Sequence, residues 1–214
     1  MCRHGSSDLL VDSGTYTYSD PVWRDRFRGS AAHNTIRIDG KDQATPAGPF
    51  QWTGLPEVQI HAWSSTDERD WLDAECRYSG FRQRFLFLKP DLLFVRDQVE
   101  GPPGEHLVEQ FWNAGSADAF GLMAFSHPAE ATETWHSRVF GSKEPGAGRR
   151  VLYRGPLPVL LATGISFGAP PEALTIEEFI LNLRPRLPVA LEHRASAQPE
   201  MVPENQACRF VQLT

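Results

Sequence analysis

The residues best suited to chemistry crowd into the first fifty positions. Asp12 opens the run Asp12-Ser13-Gly14-Thr15-Tyr16-Thr17-Tyr18, and His33 and Asn34 sit in Arg28-Gly29-Ser30-Ala31-Ala32-His33-Asn34-Thr35. Between them Arg24, Arg26 and Arg28 alternate with Asp25 and aromatic residues. Guanidinium groups bind carboxylate or sulfate bidentately, so this stretch could grip an anionic ligand. The plainer reading is a solvated, charge-balanced edge strand or loop. Tyr16 and Tyr18 could stack on, or hydrogen-bond to, a ligand ring, although aromatics beside a glycine turn also serve packing. Asp12 could simply bond its own backbone ahead of Gly14, and His33 could be satisfied by a carbonyl at a strand start.

The elements that must position these residues read as strands. Short β-prone runs bounded by Gly, Pro, Asn or Asp recur along the chain, the pattern of sandwiches and barrels. They cover Leu9 to Asp12, Asn34 to Asp39, Val58 to Trp63, Trp71 to Tyr78, Phe81 to Leu88, Leu92 to Val99 and His106 to Trp112. Four more cover Val159 to Ser166, Glu177 to Leu183, Val189 to Arg194 and Arg209 to Leu213. Phe81, Phe85 and Phe87 share one parity and Arg82 and Arg84 the other, as on a half-buried strand. Turns at Lys89-Pro90-Asp91 and Gly101-Pro102-Pro103-Gly104 then predict a three-stranded antiparallel meander ending at Trp112. Gly141 to Gly148, Gly168 to Glu172 and Ser196 to Asn205 read as loops. No helix of ordinary length and no internal repeat is expected. The fold class expected is an all-β antiparallel sandwich with long loops, in one domain over residues 1–214.

Bulk properties narrow the partners. Hydrophobic residues make up 41% and charged residues 22% of 214, ordinary globular usage. Net charge is -6, with no long block of either sign, so no nucleic-acid footprint is present. No apolar run approaches the roughly 18 residues that cross a bilayer, and Met1-Cys2-Arg3-His4-Gly5 has no signal-peptide core. Cys2, Cys76 and Cys208 lack ligand spacing and read as structural or incidental. His61, His106, His127, His136 and His193 have no partner at metal spacing. Serine-nucleophile, P-loop and dinucleotide motifs are lacking.

The stretch from Asp12 to Trp52 resembles the heparinase II/III-like family. There a D-x-G-x-Y turn is followed, after an aromatic and arginine-rich stretch, by R-x-[ST]-x-x-H-N-T and a strand. Here the strand is Ile36 to Asp39, and Asp39-Gly40-Lys41-Asp42-Gln43 and Pro49-Phe50-Gln51-Trp52 extend the likeness. Phe81 to Val99 and Glu105 to Trp112 agree more loosely.

The resemblance implies the C-terminal β-sandwich of an enzyme whose N-terminal part is an α/α toroid. It implies cleavage of uronic-acid-containing polysaccharides by β-elimination, and a periplasmic or extracellular location. Such a reaction needs the uronate carboxylate neutralised, the C5 proton removed and the leaving oxygen protonated. In the family much of that apparatus sits on the toroid, so catalytic residues on this chain are unassigned. By resemblance Asp12 and His33 match two metal ligands, and zinc accepts both donor types. A third ligand belongs to an H-x-H element ahead of the aspartate, which Arg3-His4-Gly5-Ser6-Ser7-Asp8 does not match. Arg28, Tyr16 and Asn34 are the substrate-binding candidates, with Asn34 also ordering the backbone beside His33, and Gln43 and Trp52 supporting the loop. The alternatives are a carbohydrate-binding or structural sandwich without catalysis, and an inactive gene fragment.

Overall fold

Alternating apolar runs punctuated by Gly and Pro are realised as strands. The computed structural model describes residues 2–4, 7–67, 69–78, 81–88, 92–115, 121–124 and 126–166. Within them lie β1 Cys2–His4, β2 Ser7–Leu10, β3 Ile36–Ile38, β4 Thr45–Gly48, β5 Gln51–Thr53, β6 Glu57–Ser65 and β7 Arg69–Arg77. The chain continues through β8 Phe81–Leu88, β9 Leu92–Val99, β10 Glu105–Ala114, β11 Gly121–Ala124, β12 Ala129–His136, β13 Glu144–Pro156 and β14 Val159–Ser166. The helix α1, Pro21–Arg28, and a 3-10 turn, Ser30–Ala32, stand between β2 and β3.

Two antiparallel sheets form the sandwich. One runs β1-β2-β10-β13-β12, with β3 pairing beside β2 on β10; the other runs β11-β14-β9-β8-β7-β6. A separate hairpin joins β4 to β5. The all-β antiparallel architecture expected from the sequence is the one observed. Leu10 and Trp112 of the first sheet pack on Leu93, Val95 and Ile165 of the second. Ile36, Ile38, Val108 and Val151 meet Cys76, Val99 and Leu161 in the same way. Each such side chain, fully buried, contributes on the order of 1.5–3 kcal/mol. Gln110 is a polar tie between the sheets: its Nε2 donates to Asp97 Oδ2 at 2.7 Å, and its Oε1 accepts from Thr163 Oγ1 at 2.6 Å.

Three expectations are corrected. The meander is β6 to β9, not β8 to β10: β9 pairs with β8 and β14, while β10 crosses to the other sheet and pairs with β13. Arg24, Arg26 and Arg28 lie on a helix rather than an edge strand or loop. Asp20 caps it, accepting from Val22 N and Trp23 N at 3.0 and 3.2 Å, and Pro21 takes the first position, where a missing N–H costs nothing. Glu144 to Gly148, expected as loop, begins β13. A Cβ at Gly146 would lie 2.6 Å from His136 Cε1, and one at Gly148 2.4 Å from Thr134 Cγ2. The neighbouring strand's side chains occupy that space, so glycine here is a packing requirement.

The expected strands after Ser166, the loops at Gly168 to Glu172 and Ser196 to Asn205, His193 and Cys208 lie outside the described residues. Cys76 is a free thiol, buried.

Candidate functional site

From β2 the chain continues along β10, Val11 N donating to Asn113 O at 2.9 Å. It then crosses to the end of β12, where Gly14 bridges Ser137 and Ser137 N donates to Ser13 O at 2.7 Å. Gly14 has φ 76°, and a Cβ there would lie 2.3 Å from Ser137 O, so both conformation and contact require glycine. This crossing presents Asp12. Its Oδ1 accepts from Gly14 N at 2.8 Å, and its Oδ2 lies 2.8 Å from His33 Nδ1.

His33 is placed from the other side. The 3-10 turn before it is closed by His33 N donating to Ser30 O at 3.2 Å. Ser30 is anchored in turn: its N–H donates to Asp42 Oδ1 at 2.8 Å and its Oγ accepts from Gln43 N at 2.9 Å. Asn34 is buried, and its amide joins the two halves: Nδ2 donates to Val11 O at 2.9 Å and Oδ1 accepts from Asn113 N at 2.7 Å. One side chain thus fixes the Asp12 strand end, the His33 turn and β10 together. Gln43, expected as a support, donates to Thr35 Oγ1 and Ile36 O at 2.7 and 3.1 Å.

Burial works against charge on Asp12, but the His33 and Gly14 contacts outweigh it and hold the carboxyl below the usual carboxylate range. A carboxylate holding Nδ1 fixes the ring and leaves Nε2 as the group that can meet a ligand; that nitrogen has no protein hydrogen bond among the described residues. His136, on β12, is buried with Nε2 unpartnered among the described residues. Desolvation pushes its pKa down, helped by Arg138, while Glu144 and Asp12 pull it back up.

Tyr16 packs against Trp23 and Phe27 at ring separations of 6.1 and 5.9 Å, and Trp23 meets Trp135 of β12 at 5.1 Å. Lys143 Nζ lies 4.4 Å from the Tyr16 ring centroid and 4.3 Å from that of Trp23, a cation–π arrangement. Arg28 spans from α1 to the β4–β5 hairpin. It donates to Gly48 O at 2.7 Å and Gln51 O at 3.2 Å, and its guanidinium sits 4.0 Å from the Trp52 ring centroid.

The structure therefore brings Asp12 and His33 into direct contact and puts Asn34 beneath them. Tyr16 lies in the adjoining aromatic wall and Arg28 at the hairpin. Sequence reasoning missed Lys143 and His136. A lone lysine in a Gly- and Ser-rich turn carries no signal, and His136 sits in a strand that alternation did not disclose. His61 pairs with Glu75 at 3.0 Å and His106 with Asp39 at 2.8 Å, while His127 meets the Tyr153 ring edge-on at 5.1 Å and keeps a buried Nδ1 without a hydrogen-bond partner among the described residues.

Asp12 and His33 suit zinc by donor type, but the described residues gather no group of three metal-binding side chains. Zinc sites rest on at least three protein ligands, so these residues do not by themselves fit one.

The sequence model of the family described as "Heparinase II/III-like, C-terminal" matches residues 1–147, more than half of the 214. The chain belongs to that family. The stretch holding Asp12, His33 and the aromatic wall all falls inside the match. This heparinase II/III-like chain is similar in fold to the heparan sulfate lyase HepC from Pedobacter heparinus, with TM-score 0.60 and 12% identity over 74% of this chain and 28% of that one. It is also similar to a heparinase III, the BT4657 gene product, with TM-score 0.59 and 16% identity over 74% of this chain and 27% of that one. At these identities the likeness is one of fold. None of the curated proteins matches the chain in sequence. Among the described residues no helix is long and apolar enough to cross a membrane.

Proposed function

We propose that this chain is the sandwich portion of a polysaccharide lyase that cleaves uronic-acid-containing acidic glycans by β-elimination outside the cytoplasm. The observation that carries the reading is the Asp12–His33 contact at 2.8 Å, within a family-matched sandwich and beside a wall of aromatic and cationic side chains. The carboxylate orients the imidazole so that Nε2 faces ligand. Lys143 supplies positive charge where a uronate or sulfate approaches, Arg28 adds its charge only from the hairpin it holds through the Gly48 and Gln51 carbonyls, and Tyr16 contributes its ring. Asn34 acts from beneath, fixing the backbone that bears Asp12 and His33. No step is routed through zinc, and Asp12 and His33 serve a metal only if further ligands join them.

The remaining proton-transfer groups are assigned to a toroid domain. The matching test follows the unsaturated uronate product by ultraviolet absorbance on alginate and on heparan sulfate. This chain alone is expected to give no signal, and the same chain joined to a family toroid is expected to give one. Silence of the joined protein across uronate polymers overturns the reading.

A second reading, glycan binding without cleavage, is favoured by Arg28. Both of its reaching nitrogens are spent on the Gly48 and Gln51 carbonyls, a scaffold role as much as a substrate one. Glycan binding by this chain that survives joint substitution of Asp12 and His33 would support it.

A further inference from the structure

Three aromatic rings from three separate segments meet on the surface. Tyr18 lies 4.9 Å from Phe50 and 5.3 Å from Phe140, ring centroid to ring centroid. They are 44%, 76% and 61% exposed, so the rings have been gathered without being buried. Phe50 belongs to the β4–β5 turn, Phe140 to the turn after β12, and Tyr18 to the loop that follows Asp12. A contiguous exposed apolar patch of a few hundred Å² is as large as the largest on a typical monomer, and such a patch is often functional.

What holds the rings in place is polar. The Phe50 turn is clamped by Arg28, which takes the carbonyls of Gly48 and Gln51 on either side of it. The Phe140 turn is tied to the Asp12 loop by Gly141 N donating to Tyr16 O at 2.9 Å, and by the Gly14–Ser137 bridge. Each turn is thus fixed to the same framework that fixes Asp12. None of the three rings joins either core cluster, so their position answers to something outside it.

We propose that Tyr18, Phe50 and Phe140 form a stacking platform for a pyranose ring of a glycan chain lying alongside the Asp12–His33 site. A π face carries negative charge, and the C–H face of a sugar presents weakly positive hydrogens to it, with the hydroxyls left to water. The platform suits one or two sugar rings better than a protein. At roughly 200 Å² per aromatic side chain its exposed area is about 350–400 Å², whereas a stable protein interface takes about 800 Å² from each partner. Lys143, two residues after Gly141, adds the charge that an acidic unit of the chain would meet. The platform rests on the glycan reading above and extends it to a place beyond the Asp12–His33 pair.

The test compares the full 214-residue chain with Phe50→Ala, Phe140→Ala and the double variant, and with Leu55→Ala as an exposed apolar control (66% exposed). Affinity electrophoresis in gels containing alginate, heparan sulfate or neutral laminarin reads binding, thermal melting reads folding, and sedimentation reads self-association. The double variant is expected to lose about tenfold in affinity for the polymer the chain binds, with an unchanged melt and with Leu55→Ala like the parent. Equal retention of parent and double variant on an acidic polymer overturns the platform and leaves the lyase reading intact. Ring-dependent retention on laminarin, with none on either acidic polymer, supports the platform and overturns the acidic-glycan reading. A parent dimer that the double variant dissolves without loss of glycan retention overturns the platform in favour of a contact between copies. So does a parent that binds none of the three polymers.

Discussion

Asp12 is bonded on both oxygens, and its loss should be felt as a hydrogen-bond defect. Asp12→Ala leaves Gly14 N and His33 Nδ1 without their acceptor and should lower unfolding free energy by about 1–3 kcal/mol, measured in urea. Its depressed carboxyl contributes stability that is present above the ordinary value near ~3.9 and lost as pH falls through the folded one, so the variant's acid limb should also be flatter. Two histidines should act in opposite senses. His136 has its pKa lowered, so the unfolded chain takes up its proton first as pH drops below ~6.5, and stability falls there. His106 has its pKa raised, through the side-chain contact of Asp39 and then the carbonyl of Pro102; its contribution is full below ~6.5 and is lost as pH rises through the folded value. Urea midpoints followed across pH should show His136→Gln flattening the acid side and His106→Asn the alkaline side. The same slope in both variants would contradict the assignment.

At the scale of elements, α1 and the β4–β5 hairpin are joined through Arg28. Arg28→Ala removes two carbonyl contacts and the Trp52 stack, so amide exchange over 45–53 should speed up while global stability drops by no more than about 1–2 kcal/mol. Arg28→Lys should behave almost as badly, because an ammonium cannot span two carbonyls and a ring as a planar fork does. The same comparison shows why some elements were readable. Phe81–Leu88, Leu92–Val99 and Val159–Ser166 match the expected runs residue for residue, since apolar, β-prone side chains bounded by turn residues mark a strand directly. The helix Pro21–Arg28 escaped the sequence reading because eight residues with Phe27 alone buried offer too little apolar face to outweigh the charge pattern. The strand start at Glu144–Gly148 was hidden because its glycines accommodate Thr132, Thr134 and His136, a fact held by the neighbour and not by the segment. The Asp12–His33 pair was legible through the family motif, whereas Lys143 depends on a fold-level meeting of three aromatic side chains.

For the whole molecule, Gln110 is a point at which the two sheets answer to one another through buried polar atoms. Its truncation removes the contacts that Gln110 makes with Asp97 Oδ2, Thr163 Oγ1 and Trp112 Nε1. Gln110→Ala should therefore cost about 2–4 kcal/mol, seen as a lower urea midpoint by tryptophan fluorescence and circular dichroism alike. A change confined to one of these signals would mean that the sheets unfold separately. The crossing of the Asp12 loop from β10 to Ser137 bears on time as well as on structure. It closes only when residues far apart in the chain have met, with Asn34 reaching Asn113 across 79 positions and Ser13 reaching Ser137 across more than a hundred. Contacts of such long sequence separation form late and slowly. The Asp12–His33 pair should be among the last features to appear as the chain folds, so that a partly folded chain carries no version of the site.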